Sequence, residues 1–458
     1  MFVGRAEEKA RIRLFLEKQR AMLVYGLRRV GKTTLIREAL EDNGAEYLYF
    51  ECEKATEESN VASLIALINE KYLESYGQYQ TFRQVFELLN KHHKGMTIVI
   101  DEYSYLKEYY LMSKKPDSNA KALEIDSEFQ NIIDNHLTDV RLILCGSSIS
   151  IMKGLLEYNS PLYGRFNQTI DLSPFNYLEV GEMFPSLSHR QIVEIYAIFG
   201  GSPYVLSKYD GKRSLESNIC ALLLGRDGEV YRHVKNNVLM ELDKDPDLNL
   251  ILNCIKNGDK KYGDIEASTN VSSSGLLDKR LKKLMDLDII EKKYPIGKEG
   301  DKRKAHYSLK DNLLRFYYAY IYRQENRIAL LGPKRYFDVY ISRSIDEFIS
   351  RRFENVVRSY FSLMVRKDFY PEIIDIGSYF TANNEFDCVL QKDDRTYAFF
   401  EAKYKEKPLT KKEMIEEIEQ IQSIKGINVS EIGFVCSSGF EERLPNVTYK
   451  SLTDIFNV

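Results

Sequence analysis

Gly26-Leu27-Arg28-Arg29-Val30-Gly31-Lys32-Thr33 follows directly on the apolar run Ala21–Tyr25 and precedes a helix-compatible stretch, Thr34 to Leu40. Glycines at both ends let the backbone fold tightly around an anion, and the backbone amides with the helix N-terminus supply partial positive charge. Lys32 then reaches the β- and γ-phosphates, and the Thr33 hydroxyl is placed to ligate Mg²⁺. The stretch is a complete phosphate-binding loop in the strand–loop–helix setting it requires, with Gly26 through Thr34 as the cofactor-binding residues. ATP or GTP is the expected ligand, and ATP with Mg²⁺ is the reading adopted.

A second short apolar strand, Met96–Ile100, ends in Asp101-Glu102. A buried parallel strand delivers its C-terminal residues to the ligand crevice, which gives the two acids different tasks. Asp101 holds Mg²⁺ through water; Glu102 orients and deprotonates the attacking water. A third run, Arg141–Gly146, ends in Ser147-Ser148, where a small hydroxyl is placed to read the γ-phosphate or the lytic water.

With the opening Phe2-Val3-Gly4-Arg5-Ala6-Glu7-Glu8 and the later Gly200-Gly201-Ser202-Pro203, these segments resemble the AAA-type and signal-transduction ATPases, and most closely the archaeal-type P-loop ATPase family. The resemblance covers about the first half of the chain. It implies an ATP hydrolase with a parallel α/β sheet, Arg5 in the cofactor-binding set, and a sensing or finger-type role for Arg165 in Ser160–Phe166. An ordinary loop arginine is the alternative at that position. Arg28 and Arg29 occupy variable loop positions and read as solvent or domain-contact residues.

At 458 residues, 44% apolar and 29% charged, the chain is sized for about three domains with real cores. No apolar stretch approaches the roughly 18 residues that cross a bilayer, and the chain opens on the ATPase box, so a cytoplasmic protein without a leader or membrane contact is expected. Six cysteines without Cys-x-x-Cys spacing read as core residues, and His92-His93 lacks a second cluster to complete a metal sphere. A net charge of −3 means that any DNA contact must come from a local patch.

Such a patch is found downstream. Phe199–Leu206 breaks the helical pattern and Leu215–Leu242 reads as a helical lid. Leu248–Ile255, Tyr262–Ala267 and a third helix capped by Ser272-Ser273-Ser274 are followed by strands at 289–294 and 306–309, a winged helix-turn-helix pattern. The third helix gathers Leu276, Leu277, Leu281, Leu284 and Met285 on one face, with Lys279, Arg280, Lys282 and Lys283 on the other. From Val271 to Lys310 there are eleven Lys/Arg against six Asp/Glu. DNA binding through this helix and a purely structural module are both open readings. The aromatic run Phe316–Tyr322 reads as packing rather than base stacking.

From Ile345 the pattern becomes α-β-β-α-β. Asp387 lies on one strand and Glu401-Ala402-Lys403 on the next, where period-2 alternation sets Glu401 and Lys403 on one face within reach of Asp387. Two carboxylates with a lysine are the chemistry of metal-dependent phosphodiester cleavage: Asp387 and Glu401 as metal ligands, Lys403 as the transition-state cation, and Glu354 from the preceding helix as a further ligand. The arrangement resembles the restriction-endonuclease-like superfamily, although Glu385-Phe386 stands where that family has a proline. An active nuclease, an inactive nucleic-acid-binding domain and a merely charged sheet face remain open. The expected organisation is thus an ATPase domain (1–180), a lid (181–243), a winged helix (244–312), a helical linker (313–344) and an endonuclease-like domain (345–458). ATP and DNA are the implied partners, with self-association open.

Overall fold

The computed structural model describes residues 2–113, 118–239, 242, 245–269, 275–301, 303–380 and 385–458. The chain divides into two compact units, Met1–Pro174 and Phe175–Val458. The first boundary expected from sequence, at 180/181, falls inside a helix, Tyr177–Met183, of the second unit.

In the first unit, β1 (Ala21–Tyr25), β2 (Tyr47–Glu51), β3 (Thr97–Asp101), β4 (Arg141–Gly146) and β5 (Gln168–Asp171) form one parallel sheet in the order β2-β3-β4-β1-β5. β1 and β3 are buried along their whole length, as expected of strands covered by helices on both faces. One face packs Ile36, Ala39 and Leu40 of the Lys32–Asp42 helix over Met22, Val24 and Val99. The other buries Leu23, Ile98, Ile100 and Leu142 beneath Phe82, Phe86 and Phe129. Because β4 is inserted between β1 and β3, the strand that ends in Ser147 separates the phosphate-binding loop from Asp101-Glu102.

The second unit opens with helices Tyr177–Met183 and His189–Phe199. Gly200, at φ 70°, ends the latter, and a Cβ on Gly201 would meet the Phe175 carbonyl oxygen at 1.9 Å, so the Gly-Gly pair is imposed by the turn. The segment read as one helical lid is interrupted: Leu215–Ile219 continues as a π-helix, Cys220–Leu224, breaks around Gly225–Gly228, and resumes at Glu229–His233. A Cβ on Gly228 would lie 2.4 Å from the Leu222 carbonyl oxygen, which accounts for the break.

Helices Pro246–Ile255, Tyr262–Thr269 and Leu276–Asp286 follow, with β6 (Lys260–Lys261), β7 (Ile290–Lys293) and β8 (His306–Leu309) in an antiparallel sheet of order β6-β8-β7. The expected Ser272–Ser274 cap lies outside the described residues; Gly275, at φ 78°, stands before the third helix. On that helix Leu277, Leu281 and Leu284 are buried, whereas Leu276 is exposed. Arg280 departs from the expected free basic face: it pairs with Asp245 and Asp247 at 3.2 and 2.5 Å, anchoring the start of the first helix. Phe316, Tyr317 and Tyr318 are buried in the Asn312–Tyr320 helix, and the Tyr318 hydroxyl donates to Asn249 at 2.6 Å. The aromatic run is core.

At the C-terminus, β9 (Ile373–Phe380), β10 (Glu385–Lys392), β11 (Tyr397–Lys403), β12 (Val429–Cys436) and β13 (Thr448–Ser451) make a mixed sheet in the order β13-β12-β11-β10-β9. The pairs β9–β10 and β10–β11 are antiparallel; β11–β12 and β12–β13 are parallel. The Ile345–Arg366 helix covers the face bearing Cys388, Phe400 and Ala402, with the rings of Phe361 and Phe400 4.4 Å apart. The Lys411–Gln422 helix covers the other through Met414 and Ile421. β9, β13 and the final helix, Leu452–Phe456, add to the expected α-β-β-α-β order. The six cysteines are free. No helix among the described residues is long and apolar enough to cross a membrane.

Candidate nucleotide site and C-terminal carboxylate cluster

Gly26 sits where a Cβ would lie 2.3 Å from the Leu172 carbonyl oxygen, so the loop turns off β1 only with glycine there. Gly31, at φ 94°, closes the loop as the N-cap of the Lys32–Asp42 helix. The first-turn amides of that helix have no intrahelical acceptors and aim at the loop. Lys32 is 6% exposed, and its Nζ donates to the carbonyls of Gly26 and Leu27 at 2.9 and 3.0 Å and to Ser147 Oγ at 2.9 Å.

Ser147 joins the two halves of the site. Its hydroxyl and its amide donate to the two carboxylate oxygens of Glu102, at 2.6 and 3.1 Å. One hydroxyl therefore touches both the loop lysine and the second acid, because β4 lies between the strands that carry them. Glu102 occupies left-handed backbone, φ 49°, immediately after β3. Thr33 Oγ1 donates to Asp101 Oδ2 at 3.0 Å. The loop amides, Lys32, the Thr33 hydroxyl and the Asp101 carboxylate make a donor set that fits a Mg²⁺–nucleoside triphosphate.

Tyr49, which sequence reasoning did not single out, also donates its hydroxyl to Asp101 Oδ2. Parallel register sets Tyr49 beside Val99, two residues before Asp101 and on the same sheet face. Burial first, then Cys145 and Asp101 nearby, push the Tyr49 phenol well above its ordinary pKa, so it remains a donor at all working pH values. The sequence signal was weak: one of three aromatics in Tyr47–Phe50.

Arg5 lies deeper than a phosphate ligand would. Its guanidinium donates to the carbonyls of Ser173 at 2.6 Å and Val30 at 3.3 Å, tying the N-terminal box to the phosphate-binding loop. Arg165 binds Asp134 at 3.1 Å and the Tyr163 carbonyl, and none of these partners belongs to the nucleotide site. Arg28 donates to the Tyr105 hydroxyl at 3.2 Å; Arg29 and Thr34 are exposed.

In the C-terminal sheet, the pairing of Cys388 with Phe400 extends by one step to set Asp387 opposite Glu401. Asp387 Oδ2 accepts from the Ala402 amide at 3.1 Å. Glu401 is 3% exposed, and its Oε1 is buried without a hydrogen-bond partner. Lys403 Nζ donates to Glu401 Oε2 at 3.3 Å and to Glu417 Oε1, on the Lys411–Gln422 helix, at 2.6 Å. Glu417 was not anticipated; only its place on the polar side of that helix pointed to it. Burial, followed by Asp387, pushes the Glu401 carboxyl well up, and burial raises Asp387 against the opposing pull of Lys403. Glu354, on the Ile345–Arg366 helix, lies 4.0 Å from Arg358, and burial, followed by the charge of Asp387, raises it to about 8, so it shares the electrostatics of this cluster. Among the described residues no three or more His, Cys, Asp or Glu side chains are grouped as a metal site. Asp387 and Glu401 form a two-carboxylate donor set, and the orphaned Glu401 oxygen is its open position.

A parallel five-stranded sheet with this loop, these acids and an inserted β4 defines a P-loop nucleoside triphosphatase fold. Residues 2–209 match the profile of an ATPase domain predominantly from Archaea, and residues 317–418 that of archaeal and bacterial proteins of unknown function. The chain thus carries an archaeal-type ATPase domain over residues 2–209 and the uncharacterised domain over residues 317–418. An uncharacterized protein of Methanocaldococcus jannaschii is 27% identical over 417 residues, covering 89% of this chain and 88% of that one. Among solved structures, a Walker-type ATPase of Pyrococcus abyssi is similar at TM-score 0.52 and 21% identity, across 69% of this chain and 96% of that one.

Proposed function

We propose that the chain binds Mg²⁺–ATP and hydrolyses it, and uses the cycle to drive the handling of DNA by its second unit. The observation that carries the hydrolytic part is the Lys32–Ser147–Glu102 chain of hydrogen bonds. Lys32 would bind the β- and γ-phosphates, and Thr33 with Asp101 would hold Mg²⁺, which when bound supplies positive charge to the phosphates. Glu102 takes the proton of the attacking water, Ser147 reports the γ-phosphate to it, and Tyr49 fixes the rotamer of Asp101 through its hydrogen bond. Arg5 braces the loop from behind, and the Asp134 pairing of Arg165 favours a structural role for that arginine over a finger.

Residues 244–312 are read as a winged helix whose third helix meets duplex DNA. What supports this is the state of Lys279, Lys282 and Lys283: all three are exposed, and none makes an ion pair among the described residues. Changing them together to Glu is expected to weaken duplex binding and to flatten its salt dependence by about 0.9 in log–log slope per lost phosphate contact. The same variant should lose any stimulation of ATP turnover by DNA. An unchanged slope, measured by fluorescence anisotropy across a salt series, assigns this face to solvent or to a protein.

The C-terminal domain is read as restriction-endonuclease-like. Asp387 and Glu401 would hold a divalent cation there, which supplies Lewis-acid activation of a phosphodiester and of water. Lys403 stands beside them as the cation for the developing phosphorane charge once it leaves Glu417. Supercoiled plasmid incubated with Mg²⁺ or Mn²⁺ should be nicked by the wild-type protein and left intact by Lys403→Ala. The rival reading, a nucleotide-switched regulator with a catalytically inactive C-terminal domain, is favoured by the engagement of Lys403 by Glu417. It predicts intact plasmid with both proteins, with and without ATP.

A further inference from the structure

Two cations of the second unit line one small cavity and make no ion pair among the described residues. Arg352, on the Ile345–Arg366 helix, is 4% exposed, yet its guanidinium makes no hydrogen bond or ion pair among the described residues, and its Nε is buried without a partner. It lies over the Phe348 ring at 5.1 Å, and the carboxylates of Glu354 and Asp259 act on it only through space. Burial and the neighbouring Arg315 bring its pKa down to about 9, so it is still charged at neutral pH. Lys256, at the end of the Pro246–Ile255 helix, has no ion pair among the described residues either, and burial lowers its pKa.

Both side chains line a cavity of about 290 Å³, together with Arg351, Glu347, Ser344 and Tyr320. Glu347, the acid on this lining, is engaged by Arg351 at 2.6 Å, and the other side of the Arg351 fork donates to the Asn257 carbonyl. The hydroxyls of Tyr320 and Ser344 lie 3.0 Å apart at the N-terminal end of the long helix, with the Ser344 and Ile341 carbonyls as their longer acceptors at 3.3 and 3.4 Å. Three cations against one acid leave the lining with a surplus of two positive charges. A buried cation with no carboxylate in ion-pair contact is costly, so this surplus on the lining calls for an anion.

We propose that this cavity is a binding site for a terminal phosphate, entering as the dianion of a phosphate monoester or of inorganic phosphate. Arg352 supplies its planar fork and Lys256 a point charge, and the Tyr320 and Ser344 hydroxyls can turn from their long backbone bonds to donate, the combination that suits several oxygens on one centre. The cavity lies at the small end of ligand sites, enough for a phosphate and the group next to it. An internal phosphodiester of duplex DNA carries a single charge between two sugars and does not reach so deeply buried a guanidinium. A phosphorylated nucleic-acid end and a small phosphate ester share the required chemistry.

The test uses the full chain carrying Lys32→Ala, which silences the phosphate-binding loop. Inorganic phosphate, titrated against chloride at equal ionic strength, is expected to raise its melting temperature. Adding Lys256→Gln or Arg352→Gln should weaken the apparent phosphate affinity at least about tenfold, the loss expected for one charge-assisted contact. Lys256 is only half-buried, so its variant keeps the test valid if Arg352→Gln folds poorly. A 5′-phosphorylated oligonucleotide acting more strongly than both its 5′-hydroxyl form and free phosphate identifies nucleic-acid ends as the source; equal action with free phosphate identifies a small ester. A phosphate response that is absent, or that is unchanged by Lys256→Gln and therefore reflects general salt stabilisation, overturns the proposal.

Discussion

Replacing Lys32 by alanine is expected to weaken ATP binding by about 100-fold or more, whereas Glu102→Gln keeps binding and loses about 100-fold or more in turnover. The ammonium of Lys32 is already held at the mouth of the loop by two carbonyls and Ser147, so it meets phosphate charge in the ground state. Glu102 touches no loop group directly and acts on water only as the reaction proceeds. A glutamine preserves the two contacts with Ser147 in shape while removing the base. Isothermal titration with ATP and a phosphate-release assay separate the two effects. Equal turnover in wild type and Glu102→Gln would take the catalytic base away from this position.

The second large effect is on stability against pH. Glu354, Asp387 and Glu401 all have folded-state pKa values above their ordinary ones, Glu354 at about 8. A raised carboxyl favours the folded state fully below its unfolded pKa, and that contribution is lost as pH rises through the folded value. The protein is therefore expected to lose stability between about pH 5 and pH 8 from this cluster, and Glu354→Gln should remove part of the loss. The difference between the two melting curves should change by roughly 5 °C over that range. Comparing the variant with wild type cancels other titrating groups. Parallel curves from pH 5 to 8 would show that Glu354 ionises as an ordinary surface acid does.

The phosphate-binding loop, the Asp101-Glu102 strand and the Ser147 strand were legible because each is a short apolar run ending in polar residues that a parallel sheet must deliver to one edge. Strand order was not legible, and with it went the knowledge that Ser147 would touch both Lys32 and Glu102. Tyr49 escaped because its role depends on register with β3, a non-local fact. In the C-terminal sheet, period-2 alternation set Glu401 and Lys403 on one strand face, where they pair at 3.3 Å, but it carried no information about which face the Glu354 helix would cover. β9 was missed because Asp375 and Gly377 interrupt its apolar pattern. Arg280 looked like one more solvated cation on a basic helix; only the fold brings Asp245 and Asp247 to it.

The backbone of Glu102 gives the nucleotide site a mechanical character. A left-handed φ on a side chain of this size costs about 1–2 kcal/mol, and here two hydrogen bonds to a single serine hold it. The residue resembles a cocked trigger, bent by its backbone and caught by Ser147. Under the proposed mechanism, a γ-phosphate that draws the serine hydroxyl or Lys32 toward itself would compete for the catch, so ligand arrival and release of the general base would draw on the same few kilocalories.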